Sequence, residues 1–111
     1  MLPESRRLVT DMREAASAIG EFVEGKSFSS LKDDVLRSAI YFKFVIVGEA
    51  LSQLAKQDPE VVSRISDVPR IIGFRNQIIH GYAKIDDEIT WRIIETKVPV
   101  LIHELDQLLS E

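Results

Sequence analysis

Between positions 75 and 82 the chain places a cation, an amide, an imidazole and a phenol: Arg75-Asn76-Gln77-Ile78-Ile79-His80-Gly81-Tyr82. If the stretch is helical, Asn76 and His80 lie one turn apart on one face, and Arg75 and Tyr82 share a face beside it. Ile78 and Ile79 then face protein on the flank between. Gly81 is the residue type that enters the left-handed conformation ending a helix, which puts His80 in the last turn. There it lies near unpaired carbonyls and the negative end of the dipole, which favour a cation. An imidazole, a guanidinium that forks onto phosphate oxygens and a phenol within reach are what phosphodiester chemistry could use without a metal. A solvated polar cap at a helix end is the competing structural reading of the same residues.

Helices must hold that stretch in place, and the apolar spacing supplies them. Leu8, Met12, Ala15, Ala16, Ile19, Phe22 and Val23 recur at three and four, a helix with one buried face; Pro3 suits its first turn and Gly25 its cap. Lys26-Ser27-Phe28-Ser29 reads as a short loop. A second helix is expected from Ser29 or Ser30, with Ser30 and Asp33 as a capping pair, to about Gln57. Between Ala39 and Val47 its only charge is Lys43, so apolar side chains point nearly all round. One side then meets the core and another a second copy of the chain, or else the helix is simply central. Gly48 costs this helix about 1 kcal/mol against Ala, which suggests a close backbone approach. Glu49 beside it reads either as a solvated helix residue or as a carboxylate aimed at a basic neighbour.

Asp58-Pro59-Glu60 is a helix start, with Asp as cap and Pro in the first turn, and opens a short helix to about Ile65. Ser66-Asp67-Val68-Pro69 starts the next, buried through Ile71, Ile72, Phe74, Ile78 and Ile79, with the motif at its end. Asp86-Asp87-Glu88 opens the last helix, which Pro99 should bend or divide. Trp91 reads as core or interface packing, and His103 as a surface or hydrogen-bonded structural residue. Phe44-Val45-Ile46-Val47 is locally β-prone but lies within a longer helical period. The expected fold is all-α, an up-and-down bundle of four or five helices in one domain, 1–111.

The totals narrow the chemistry. Of 111 residues, 45% are apolar and 29% charged, and no uninterrupted apolar run approaches the roughly 18 to 20 residues of a membrane span. Charges at Glu4, Arg6, Arg7, Asp11, Arg13 and Glu14 leave no secretory segment, so a cytoplasmic protein is expected. With no cysteine there is no disulfide, thiol nucleophile or thiolate metal site, and His80 and His103 form no evident zinc pair. A net charge of −4 speaks against a generic nucleic-acid binder. The distribution is uneven, however: Arg64, Arg70, Arg75 and Lys84 face Asp67 alone within 64–84, whereas acids dominate 86–111. An anionic ligand would be held around the motif.

Arg75, four residues, His80, one residue and Tyr82 form the pattern of the HepT-like toxins of the HEPN superfamily, and the chain resembles that family along nearly its whole length. Glu21-Phe22-Val23-Glu24-Gly25 at the end of the first helix, Gly48-Glu49-Ala50 in the second, Arg75-Asn76, His80-Gly81-Tyr82, Asp86 and Trp91 carry the likeness. The segment Ile65-Ser66-Asp67-Val68-Pro69-Arg70 departs from it, lacking an earlier proline and aromatic residue. The resemblance implies a four-helix core that forms a homodimer, with the motifs of two protomers facing one cleft. It implies a metal-independent RNA endonuclease that needs no cofactor, the toxin of a type VII toxin–antitoxin pair. A minimal nucleotidyltransferase antitoxin would silence it by transferring AMP to Tyr82. Carried over residue by residue, Arg75 and His80 become the catalytic pair, Asn76 a substrate-positioning residue and Tyr82 the modification site. A non-catalytic nucleotide- or RNA-binding module, or a structural partner of the nucleotidyltransferase, are the alternative readings.

Overall fold

A computed structural model describes residues 1–81 and 85–111. Helix α1, Pro3–Val23, begins with Pro3 in its first turn, where no backbone donor is needed, and ends before Gly25 at φ 73°. Its stripe of Leu8, Val9, Met12, Ala15, Ala16 and Ile19 is buried. Helix α2, Asp34–Gln57, packs along α1 and also along α4, Val68–His80. Between them α3, Pro59–Val62, is a single turn capped by Asp58, whose carboxylate accepts from the Val61 amide and from Ser5 Oγ at 2.7 Å. Helix α5, Asp87–Thr96, and helix α6, Val98–Leu109, complete the bundle, with α6 lying along α1. Among the described residues there is no strand. The fold is the expected all-α bundle.

The core lies where three apolar stripes meet. Ile40, Phe44, Val47, Leu51 and Leu54 of α2 face the α1 stripe, and Leu101, Leu105 and Leu108 of α6 close it. Burying each such side chain contributes about 2 kcal/mol. The last helix is divided rather than bent: Pro99 lies in the first turn of α6, and Lys97 caps α5 through a bond from its amide to the Ile93 carbonyl. No helix among the described residues is long and apolar enough to cross a membrane.

Two boundaries differ from the expectation, the start of α2 and the end of α3, which stops at Val62 rather than near Ile65; α4 starts where expected. Phe28–Lys32 forms a turn of 3-10 helix instead of the beginning of α2, and Leu31 within it is fully buried. The cap is Asp33, whose Oδ1 accepts from the amides of Val35 and Leu36 at 2.9 and 3.1 Å. Ser30 instead donates its hydroxyl to the Ser27 carbonyl, so the Ser30–Asp33 capping pair does not form. At the start of α4, Asp67 adopts φ 58° and gives no side-chain cap. Its carboxylate accepts from Lys97 Nζ at 2.6 Å, which ties the start of α4 to the α5–α6 break. His103 is exposed, and Trp91 is partly buried against the core.

Candidate functional site

Helix α4 carries Arg75, Asn76 and His80 because Phe74 anchors it. The Phe74 ring is buried and meets Phe44 of α2 edge-on, centroids 5.1 Å apart at 87°, and Tyr41 at 6.3 Å and 65°. Such edge contacts fix rotation as well as distance. Tyr41 in turn shares a 3.2 Å hydrogen bond with Thr90 of α5, and burial holds its phenol above the ordinary tyrosine range, opposed by the Thr90 bond.

With Phe74 inward, Arg75 falls against α2 at Gly48. A Cβ built on residue 48 would overlap Arg75 Cβ and lie 2.5 Å from its Cγ, so the arginine stem lies on bare backbone. This is the close approach that Gly48 suggests from sequence. At the far end of the stem the guanidinium is gripped from both sides. Nη2 donates to the Glu49 carboxylate, and Nη1 donates to Asn76 Oδ1 at 2.8 Å. Glu49 also accepts from Gln53 Nε2 at 3.3 Å. Arg75 Nε is buried and has no hydrogen-bond partner among the described residues. Glu49 is therefore the carboxylate aimed at a basic neighbour, not a merely solvated residue, and it joins the candidate site through Arg75, a contact the sequence left open. Its signal was a glycine followed by an acid inside a run of apolar residues.

His80 is the last residue of α4 and is exposed. Gly81 follows in the left-handed conformation at φ 59°, and its amide closes the helix on the Gln77 carbonyl at 3.2 Å, the ending expected from sequence. Asn76 and His80 share a face one turn apart, whereas Arg75 and His80 are separated by about 140° around the axis and about 7.5 Å along it. The structure thus joins Arg75 to Asn76 directly and sets His80 at the open end of the same helix. Tyr82 lies outside the described residues. Asp86 caps α5 by accepting from the Glu88 amide at 2.8 Å.

An apolar stripe runs to this site. Val35, Phe42 and Glu49 recur at sevens along α2 and are exposed, while Ile46 between them is partly buried against the core. Val35 is 80% exposed and Phe42 62%. On α4, Ile79 flanks His80 and is half exposed. Among the described residues no cluster of three His, Asp or Glu side chains is placed to hold a metal ion.

Residues 12–108 match the family described as ribonuclease HepT-like. A protein of Caldanaerobacter subterraneus subsp. tengcongensis named "Putative RNase" is 33% identical over 92 residues, covering 82% of this chain and 81% of that one. Two proteins of Methanocaldococcus jannaschii bear the same name. One is 28% identical over 109 residues, covering 96% of this chain and 88% of its own. The other is 27% identical over 99 residues, covering 86% and 88%. No solved structure gives a significant match. A helical bundle with Arg75 and His80 on its fourth helix, matched over residues 12–108, belongs to the HepT-like ribonuclease family.

Proposed function

We propose that this protein is a metal-independent endoribonuclease, the toxin of a type VII toxin–antitoxin pair acting in the cytoplasm, and that Arg75 and His80 carry the reaction. The observation that carries this reading is the setting of Arg75. Its stem is fixed on Gly48 and its guanidinium is oriented by Glu49 and Asn76, at the end of an unpartnered apolar stripe. A second copy docked on that stripe by a two-fold axis would bring two such motifs to one cleft.

In that cleft a ribose 2′-hydroxyl attacks the adjacent phosphorus. His80 of one protomer takes the hydroxyl proton as the new P–O bond forms, and His80 of the other gives a proton to the departing 5′-oxygen. Arg75 offsets the charge that grows on the phosphoryl oxygens, a role suited to a guanidinium already oriented before substrate arrives. Asn76 positions both Arg75 and the substrate. The products are a 2′,3′-cyclic phosphate and a 5′-hydroxyl, and DNA, which lacks the nucleophile, is not cut. A nucleotidyltransferase antitoxin would silence the site by placing AMP on Tyr82, adding bulk and negative charge where phosphate must enter.

Expression of the wild type against His80→Ala tests the reading. Growth arrest and new RNA ends bearing cyclic phosphate are expected from the wild type alone, with cleavage unaffected by chelator. Cleavage that requires magnesium, or that proceeds equally on DNA, would sink it. Harmless expression of both proteins with intact RNA would leave a binding module or a structural partner of the antitoxin in its place.

A further inference from the structure

On the other side of α4, a groove of about 440 Å³ runs between α4 and α5. Arg70, Gln77, Arg92, Thr96 and Lys97 supply its polar lining, Phe74, Ile89 and Ile93 its apolar wall, and no carboxylate lines it among the described residues. Lys97 is paired with Asp67, which also lies near Arg70. Arg70 and Arg92 are both exposed, and neither forms an ion pair among the described residues. Glu88 and Glu95 lie one turn to either side of Arg92 on α5, and neither forms a salt bridge with it among the described residues. Two exposed guanidinium groups that line one groove and are engaged in no salt bridge among the described residues leave their donors available to phosphate oxygens.

The groove leads toward the motif. Gly73, Gln77 and His80 are spaced by four and three on α4, so they form one strip along the helix. The α4 wall of the groove therefore continues to the imidazole, about 4.5 Å of helix rise beyond Gln77. We propose that the α4–α5 groove binds the single-stranded RNA that flanks the scissile phosphate. Arg70 and Arg92 contact backbone phosphates, and Ile89 with Ile93 takes the apolar face of a ribose or base. The volume suits part of a strand and not a duplex, and a strand held there enters the cleft at His80. This assignment rests on the ribonuclease reading of the site, but its test does not use cleavage.

The experiment measures anisotropy of a labelled single-stranded RNA of about a dozen nucleotides across a salt series. The parent protein is His80→Ala, compared with the same chain carrying R70Q and R92Q. The double substitution is expected to weaken binding at low salt by roughly tenfold or more, and to lower the slope of log affinity against log salt by about 1.4, as two lost single-strand phosphate contacts require. R70K with R92K should restore most of that slope, because the charge is kept. An unchanged affinity and slope overturns the proposal, as does a parent that shows no salt-dependent binding. RNA binding left intact while capture of the nucleotidyltransferase is lost would assign the groove to that protein and also overturn it. If the groove variants lose RNA but the wild type never cleaves, the groove stands and the nuclease reading falls. Wild-type cleavage with normal RNA binding by R70Q/R92Q removes the groove alone.

Discussion

A methyl group on residue 48 would overlap Arg75 Cβ and crowd its Cγ, and both atoms belong to the stiff root of the side chain rather than its mobile end. Two effects oppose each other in Gly48→Ala. Helix propensity favours alanine by about 1 kcal/mol, while overpacking between two helices costs about 1 to 3 kcal/mol. The overlap should win, because α2 and α4 are already anchored by the Phe44–Phe74 contact and cannot separate without breaking it. We expect a lower Tm for Gly48→Ala and a loss of RNA cleavage larger than the lost stability explains, since the guanidinium moves with its stem. Arg75→Ala should not rescue the stability, because it keeps the Cβ that causes the overlap. Thermal unfolding of the two single variants and the double decides it: a double variant as stable as Arg75→Ala alone would show that the contact is not limited by that atom. The presence of a close approach at Gly48 was legible in the sequence, as an unfavourable residue inside a long helix. Its partner was not, because Arg75 lies 27 positions away and only the rotation of α4 brings it there.

The apolar spacing makes four helical arms legible, and the division of the last follows from Pro99. What the spacing could not decide was local competition for polar groups. Ser30 and Asp33 both suit a cap, and Asp33 prevails because Ser30 is occupied with the Ser27 carbonyl while Leu31 is drawn into the core. Asp67 likewise suits a cap but is turned toward Lys97, a partner from a different element. The α2–α5 tie between Tyr41 and Thr90 gives a test at this scale. Burial raises the Tyr41 phenol above its ordinary value, so the folded chain holds that proton more tightly than the unfolded one. The associated stability is fully present below the unfolded tyrosine value of about 10 and is lost as pH rises through the folded value. Urea unfolding from neutral pH upward should therefore show a steeper alkaline loss for the wild type than for Tyr41→Phe. At neutral pH the Phe variant should be weaker by about 1 kcal/mol, the net worth of one hydrogen bond. Parallel alkaline slopes for the two proteins would place the phenol in water.

For the molecule as a whole, Val35 and Phe42 are exposed in register along α2, and the proposed dimer would use them as its association surface, as large exposed apolar side chains along one helix commonly serve. Glu49 continues that stripe and holds Arg75, so covering it with a second copy would enclose the motif instead of leaving it at the edge. Phe42→Asp should then shift sedimentation from dimer to monomer while the helical circular dichroism remains, because the side chain is exposed within one chain and its loss leaves the core intact. Dimerisation also makes a prediction about chemistry that monomer stability does not. If one histidine takes the 2′-hydroxyl proton and the other protonates the leaving oxygen, a dimer with a single His80 has lost one of its two proton-transfer groups. Wild type and His80→Ala, unfolded together in equal amounts and refolded, form wild-type, mixed and variant dimers at random. Activity should then fall to about a quarter of that of wild type alone at the same total concentration, because only the wild-type dimers retain both groups. A site complete within one protomer would instead keep about half, and the dependence on wild-type fraction would be linear rather than quadratic. A linear dependence would assign both proton transfers to one His80, and the second copy would then serve only to shape the cleft.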